Sequence, residues 1–249
     1  MKMMFYDLHV HYYPGIDEDA VKMGYSGLVF VKSSEELSTA DNVENSEADN
    51  AKNSKVNNTE NILISSETHY SLSVFKGIEI KAKNQEDLKR KVKKFRKKAE
   101  VLLVQGGDLK INRAAVEDAR VDILSNPYYG RRDSGFNHVL AREAARNNVA
   151  VEINVGYFLK NHNHRRGKIL AQFRELSKLK SKYNFPLVIT SGAHSVYGLR
   201  SPHDLMELAA CFGMDKKTAG FALSEVPKTI IKHNQIRNQI IVSGVRFFK

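Results

Sequence analysis

Two histidines and a carboxylate alternate near the start of the chain, in the stretch FYDLHVHYYPG at residues 5–15. If this stretch forms a β-strand, Asp7, His9 and His11 share one face, because successive side chains of a strand point to opposite sides. Two imidazoles and a carboxylate on one face are typical of the ligands in a metal-dependent hydrolase. The first chemistry that the sequence indicates is therefore metal-assisted hydrolysis.

A second candidate chemistry, the binding of a polyanion, lies in the stretch NQEDLKRKVKKFRKKAE at residues 84–100. Leu88, Val92, Phe95 and Ala99 recur at helical spacing, which predicts an amphipathic helix with one narrow apolar stripe. The remaining positions from 89 to 98 are all cationic and have no acidic residue among them. Repulsion between these cations favours binding of a phosphate backbone over a merely solvated face, and over a membrane surface. The candidate contacts are Lys89, Arg90, Lys91, Lys93, Lys94, Arg96, Lys97 and Lys98.

Further cations fall in segments that resemble loops. They are Arg113, Arg131, Arg132, Arg165 and Arg166. Tyr128 and Tyr129 stand next to the first arginine pair, so a base or ribose could stack there beside a phosphate contact. Several cation-rich loops in one basic chain support nucleic-acid binding more strongly than any one of them alone.

The composition agrees with a polyanionic partner. The 249 residues carry a net charge of +11, and residues 33–60 contribute −5, so the rest of the chain carries +16. Residues 33–60 are poor in large apolar side chains, which predicts a mobile, low-complexity acidic loop insertion. The single cysteine excludes a disulfide framework, and no apolar run is long enough to span a membrane, so we expect a cytoplasmic protein with no membrane partner.

Strand-like and helix-like segments alternate along the chain. Seven apolar runs of strand length occur in order, six of them are followed by helical patterns, and two more helices are expected within 215–237. This order predicts a parallel sheet covered by helices. The number of units favours a single TIM-barrel-like (β/α) barrel over residues 1–249, rather than an open doubly wound sheet.

Several blocks of the chain resemble one family closely. The blocks are KINRAAVE at 110–117, VDILS at 121–125, GRRDSG at 130–135, NHVLAR at 137–142 and VAVEIN at 149–154. They resemble archaeal ribonuclease P protein component 3, the counterpart of the eukaryotic p30 subunit. The resemblance implies a barrel that binds the catalytic RNA of ribonuclease P, pairs with protein component 2 and assists removal of the 5′ leader from precursor tRNA. It also implies that the RNA performs the chemistry with Mg²⁺, that the isolated chain is not catalytic, and that the chain binds no cofactor of its own.

The same barrel family includes the PHP phosphoesterases, whose metal sites begin with a His-x-His strand. His9 and His11 match that motif, Glu79 resembles its second ligand and His194 its last. Ser125 and Asn126 stand where a His-Pro pair would be expected, and Gly192 stands where an aspartate would be. Four candidate ligands remain, which leaves a metal-dependent phosphoesterase as the alternative function and a vestigial cluster as the simpler interpretation.

Overall fold

The computed structural model describes residues 3–43, 61–63, 71–162, 164–237, 240–242 and 245–246. Seven parallel strands within these residues form a nearly closed barrel. They are β1 (Phe5–Val10), β2 (Tyr25–Ser33), β4 (Ser71–Ile80), β5 (Val101–Gln105), β6 (Ile123–Ser125), β7 (Ala150–Asn154) and β8 (Leu187–Thr190). The short strand β3 (Asn61–Leu63) pairs antiparallel with β4. The predicted fold class is confirmed.

Helices cover the outside of the sheet, as the alternation predicts. They are α1 (Ile16–Met23), α2 (Ser34–Val43), α3 (Gln85–Phe95), α4 (Leu109–Glu117), α5 (His138–Asn147), α6 (Val155–Lys160), α7 (His164–Tyr183), α8 (Pro202–Cys211), α9 (Lys216–Leu223) and α10 (Glu225–Ile236). A two-stranded antiparallel sheet follows, made of β9 (Ile240–Val242) and β10 (Val245–Arg246). No helix in the described part of the chain has both the length and the apolar character needed to cross a membrane.

The barrel closes weakly between its last and first strands. β8 and β1 are not paired along their length, but Val10 and Ala193 form an isolated parallel bridge just beyond the end of β8. The backbone N–H of His11 also donates to the carbonyl of Ala193 at 2.8 Å. We call this junction between β8 and β1 the seam.

Helix α10 closes the amino end of the barrel. One core cluster draws residues from all seven parallel strands, so it lies inside the barrel. The cluster includes Val101, Ile123 and Ala150, the first residues of β5, β6 and β7, together with Ile230 and Ile231 of α10. The carboxyl end of the barrel is where the polar residues of the strands gather, and we call that end the mouth.

The predicted acidic insertion differs from the structure at its start. Residues Ser34–Val43 form helix α2, whereas a loop was expected over 33–60. Leu37 packs against the main core and Ser34 is buried, while Glu35 and Glu36 lie in the first turn, where acidic groups suit the helix dipole. The loop was predicted from the average composition of all 28 residues, which does not reveal a short amphipathic helix at the start of the stretch. Residues 44–60 of the predicted insertion lie outside the described residues.

Candidate nucleic-acid interface

Helix α3 has the capped, amphipathic form that its sequence predicts. The side chain of Asn84 accepts a hydrogen bond from the backbone N–H of Asp87 at 2.8 Å and so caps the helix. Leu88, Val92 and Phe95 are buried against the barrel. The other faces of the helix carry most of its cations into solvent. The exposed cationic residues are Lys89, Arg90, Lys93, Lys94, Lys97 and Lys98.

Two members of the predicted contact set have structural roles. Arg96 is only 8% exposed, and its guanidinium donates to the Asp122 carboxylate at 2.6 Å and to the carbonyl of Ala99 at 3.1 Å. This ion pair fastens the end of α3 to the barrel, which corrects the prediction that Arg96 is available to RNA. Lys91 is half-buried and donates to the carbonyl of Lys81 at 2.5 Å, so its charge is also engaged within the protein.

Of the arginines expected in loops, only Arg131 and Arg132 lie in one; Arg113 lies on α4, and Arg165 and Arg166 lie in the first turn of α7, which corrects that expectation. These arginines also divide into exposed and engaged side chains. Arg132 and Arg165 are exposed, and Arg113 is exposed but paired with Glu117 at 2.7 Å. Arg131 donates to both oxygens of the Asp133 carboxylate, and Arg166 donates to the carbonyls of Leu159 and Asn161. Arg131 therefore stabilises the β6–α5 loop, and Arg166 stabilises the connection between α6 and α7.

The two tyrosines of the β6–α5 loop also differ from each other. Tyr128 is fully buried, and its hydroxyl oxygen accepts a hydrogen bond from the backbone N–H of Asn154 at 2.8 Å. This side chain cannot stack on a base, which corrects the prediction for Tyr128. Tyr129 is half exposed and lies 5.6 Å, centroid to centroid, from the ring of Tyr157.

At the mouth, His9 is held by a carboxylate that was not among the predicted site residues. Nδ1 of His9 lies 2.7 Å from Oε1 of Glu152 on β7, and the hydroxyl of Thr190 donates to the same oxygen at 2.6 Å. Both His9 and Glu152 are buried, and Oε2 of Glu152 is buried without a hydrogen-bond partner. The predicted histidine therefore belongs to an internal ion pair that joins β1, β7 and β8.

Asp7 reinforces the same junction from the first strand. Its carboxylate is fully buried and accepts hydrogen bonds from the backbone N–H groups of His9 at 3.1 Å and Ser191 at 3.0 Å. The strict alternation expected for β1 breaks here, because the pairing register with β2 shifts between Asp7 and Val10. Leu8 packs inside the barrel, whereas Val10 packs under α1.

Burial and neighbouring charges separate the protonation states of the mouth residues. Burial lowers the pKa of His9, but Glu152, Glu79 and Asp7 raise it more, to a net value of about 9. Burial, His9 and other nearby cations lower the pKa of His11 to about 3. Burial raises the pKa of Asp7 to about 6. At neutral pH, His9 is charged and His11 is neutral.

His11 and His194 form a stacked pair across the seam. Their ring centroids lie 3.8 Å apart and the rings are nearly parallel, with an interplanar angle of 10°. Burial and the ammonium of Lys160 lower the pKa of His194, and Lys160 also lowers the pKa of His11. The charge of Lys160, at the end of α6, therefore acts on both imidazoles, and both rings are neutral at neutral pH.

Two glycines bring α6 against the seam. A Cβ atom on Gly156 would lie 2.6 Å from the carbonyl oxygen of Ser191, which is too close for any side chain. Gly192 has a φ of +57°, and a Cβ atom there would collide with the side chain of Asn154. The absence of side chains at these two positions lets the start of α6 pack directly on the loop after β8.

The arrangement of the four predicted ligands does not fit a metal centre. Nδ1 of His9 is engaged by Glu152, the rings of His11 and His194 stack on each other, and Glu79 accepts a hydrogen bond from Ser125 at 2.9 Å. Within the described residues, no group of three or more His, Cys, Asp or Glu side chains is arranged to hold a metal ion. The phosphoesterase alternative therefore has no support in the geometry of the mouth.

Comparison with known proteins decides the family. The model of the family described as RNase P subunit p30 matches residues 4–239. The chain belongs to this family. Ribonuclease P protein component 3 of Methanothermobacter thermautotrophicus is 41% identical over 253 residues, which cover 98% of this chain and 95% of the relative. The protein of the same name from Methanococcoides burtonii is 35% identical and covers 98% of this chain and 94% of the relative.

A solved structure agrees with this assignment to the p30 family. A chain of the archaeal ribonuclease P determined by cryo-electron microscopy with mature tRNA has a TM-score of 0.75 and 29% sequence identity to this chain. The match covers 98% of both chains. The fold described here is therefore similar overall to that of one chain of an archaeal ribonuclease P.

Proposed function

We propose that this chain is a protein subunit of ribonuclease P that binds the catalytic RNA and assists removal of the 5′ leader from precursor tRNA. Membership in the p30 family supports the subunit role, and the distribution of charge supports the contact with RNA. In this proposal the RNA performs the cleavage with Mg²⁺, and the chain supplies no catalytic residue.

The observation that carries the RNA contact is the exposed cationic surface of α3. The apolar stripe of this helix is buried in the main hydrophobic core, so it is not available to insert into a membrane. Its exposed lysines and arginine face solvent, where phosphate groups would relieve the repulsion between them. Arg113 adds an exposed cation on the neighbouring helix α4, whereas the exposed Arg132 and Arg165 lie further round the sheet, after β6 and β7.

Pairing with ribonuclease P protein component 2 belongs to the same proposal. The relatives are named as one component of an enzyme with several proteins, and the matching solved structure is a chain of an assembled archaeal ribonuclease P. We also retain the prediction that the protein works in the cytoplasm.

The first test measures cleavage of precursor tRNA by the cognate RNA and protein component 2 across a Mg²⁺ titration. We expect this chain to lower the Mg²⁺ concentration needed for cleavage, and to be inert by itself. Cleavage that is unchanged by adding the chain would contradict the subunit role, and cleavage by the chain alone would contradict its non-catalytic character.

A second test examines α3 directly. The triple variant Lys89→Gln, Lys93→Gln, Lys97→Gln should bind the ribonuclease P RNA more weakly. The slope of log K against log salt concentration should become shallower by roughly two to three, because three phosphate contacts are lost. The matched control removes three exposed lysines from other helices, with Lys178→Gln, Lys182→Gln and Lys216→Gln. An equal change in both variants would mean that only net charge matters and that α3 is not the contact.

A further inference from the structure

Three well-exposed tyrosines stand in loops at the mouth. Tyr12 follows β1, Tyr129 follows β6 and Tyr197 follows β8, and their side chains are 66%, 50% and 86% exposed. The carboxyl ends of parallel strands lie at one end of a barrel, so these three rings share one end of the molecule. Large rings left in water at one end are more often binding groups than structural ones.

The exposed rings continue into partly covered rings at the same end. Tyr129 contacts Tyr157 of α6 at 5.6 Å, and His11, next to Tyr12 in the chain, stacks on His194 at 3.8 Å. Strands β6, β7, β8 and β1 are consecutive around the barrel, with the seam between the last two. The rings therefore occupy one sector of the mouth.

The charges around these rings suit an anionic ligand. Lys160 is exposed at the end of α6, where its charge lowers the pKa of both His11 and His194, and Arg132 is exposed in the loop that holds Tyr129. The carboxylates of the strands at this end are covered: Asp7, Glu79 and Glu152 are each 8% exposed or less, and Glu152 is paired with His9. Asp133 in the β6–α5 loop is exposed, but its charge is balanced by the ion pair with Arg131. A ligand that enters the mouth thus meets neutral rings and cations.

We propose that this sector of the mouth binds unpaired nucleotides of RNA, with the bases stacked on Tyr129, Tyr197 and the His11–His194 pair and the phosphates beside Lys160 and Arg132. Aromatic rings next to cations are the means by which proteins bind single-stranded RNA, because every base offers a face for stacking. Paired bases are already stacked within a duplex and cannot occupy such rings. This inference rests on the proposed function, and it assigns to the mouth a role different from that of α3, which would contact the backbone.

The test compares the full chain with the double variants Tyr129→Ala, Tyr197→Ala and Tyr129→Phe, Tyr197→Phe. The probes are a short fluorescent RNA of mixed sequence without self-complementarity, and a duplex of the same length. The alanine variant should bind the single strand about five- to a hundredfold more weakly with an unchanged salt dependence, because stacking is lost and phosphate contacts are not. The phenylalanine variant should bind within about twofold of the parent, and binding of the duplex should not change.

Each other outcome has a definite meaning. Equal binding of the single strand by the alanine variant and the parent would overturn the proposal, as would an equal loss of duplex binding. Loss of binding in the phenylalanine variant would also overturn it, since the hydroxyl rather than the ring would then be the contact.

The lysine triple variant of α3 separates this inference from the proposed function. If that variant binds RNA weakly while the alanine variant binds it as the parent does, the role of the mouth is wrong and the proposed function stands. If the parent binds neither probe nor the ribonuclease P RNA, both fail. Both tyrosines are exposed, so equal melting temperatures should confirm that the variants fold.

Discussion

The charge on His9 is the residue-scale feature with the clearest measurable effect. Its folded pKa of about 9 lies above the ordinary value of 6.5 because Glu152, 2.7 Å away, more than offsets the burial of the ring. The ion pair therefore stabilises the fold fully below pH 6.5, and this contribution is lost as the pH rises through about 9. Asp7 and His11 titrate at lower pH, at about 6 and about 3, so the window from pH 6.5 to 9 reports mainly on His9.

We predict that the free energy of unfolding falls by on the order of 3 kcal/mol between pH 6.5 and 9. The measurement is urea denaturation at a series of pH values. The variant Glu152→Gln should be less stable at pH 6.5 and should lose most of this dependence, because the charge that raises the pKa of His9 is gone. The control Glu117→Gln removes an exposed partner of Arg113 and should change stability by less than about 1 kcal/mol. An unchanged slope in Glu152→Gln would show that another group titrates.

At this scale the sequence identified His9 and His11 but not the partner that explains them. Glu152 lies in the apolar stretch VAVEINV, and a carboxylate in a strand that is otherwise buried must find a buried partner. That signal was available in the sequence. The close approach of Gly156 and Gly192 was not, because it depends on how two loops from separate strands meet.

Helix α3 shows how one element combines two roles. Its exposed cations are candidates for RNA contact, whereas Arg96 at its end is bound to Asp122 and to backbone carbonyls. Sequence alone could not separate them, because Arg96 sits in an uninterrupted basic run. Helix α3 ends at Phe95, before the basic run does, and the turn that follows directs the Arg96 guanidinium inward.

We predict that Arg96→Gln lowers the free energy of unfolding by about 3 kcal/mol or more, because it leaves the half-buried Asp122 carboxylate without its ion pair. Thermal denaturation measures this loss. The matched variant Arg90→Gln breaks an exposed ion pair with Asp87 and should cost less than about 1 kcal/mol. If Arg96→Gln is as stable as the parent but reduces the salt dependence of RNA binding, Arg96 is a phosphate contact after all.

The order of strands and helices was predictable, and the exceptions have physical causes. The seven apolar strands and the two C-terminal helices α9 and α10 lie where the patterns place them. Helix α2 was missed because its few apolar residues sit in an acidic stretch, and α6 because it is only six residues long and follows β7 without a loop. The pattern after VDILS predicted a helix over 134–147, whereas α5 starts at His138, because Asn137 supplies the cap.

At the scale of the whole molecule, the two ends of the barrel have different characters. The amino end is closed by apolar contacts of α10, whereas the carboxyl end holds the buried His9–Glu152 ion pair, the stacked imidazoles and the exposed tyrosines. The basic helix α3 lies on the side of the barrel, between β4 and β5. An RNA that contacts both α3 and the mouth would have to bend around the edge of the barrel.

If RNA binds at the mouth as proposed, the seam would link that binding to the stability of the barrel. A base that stacks on the imidazoles of His11 and His194 adds a contact between the first and last strands, where the sheet has one isolated bridge. By mass action, a ligand that binds only the closed barrel stabilises it, by about 2.7 kcal/mol at a hundredfold excess over its dissociation constant. Single-stranded RNA should therefore raise the melting temperature and slow hydrogen exchange at the His11 amide, which bonds to Ala193 across the seam. Exchange that slows at α3 but not at His11 would count against this linkage. Bound RNA would then close the junction between β8 and β1, where the strands of the barrel are paired least.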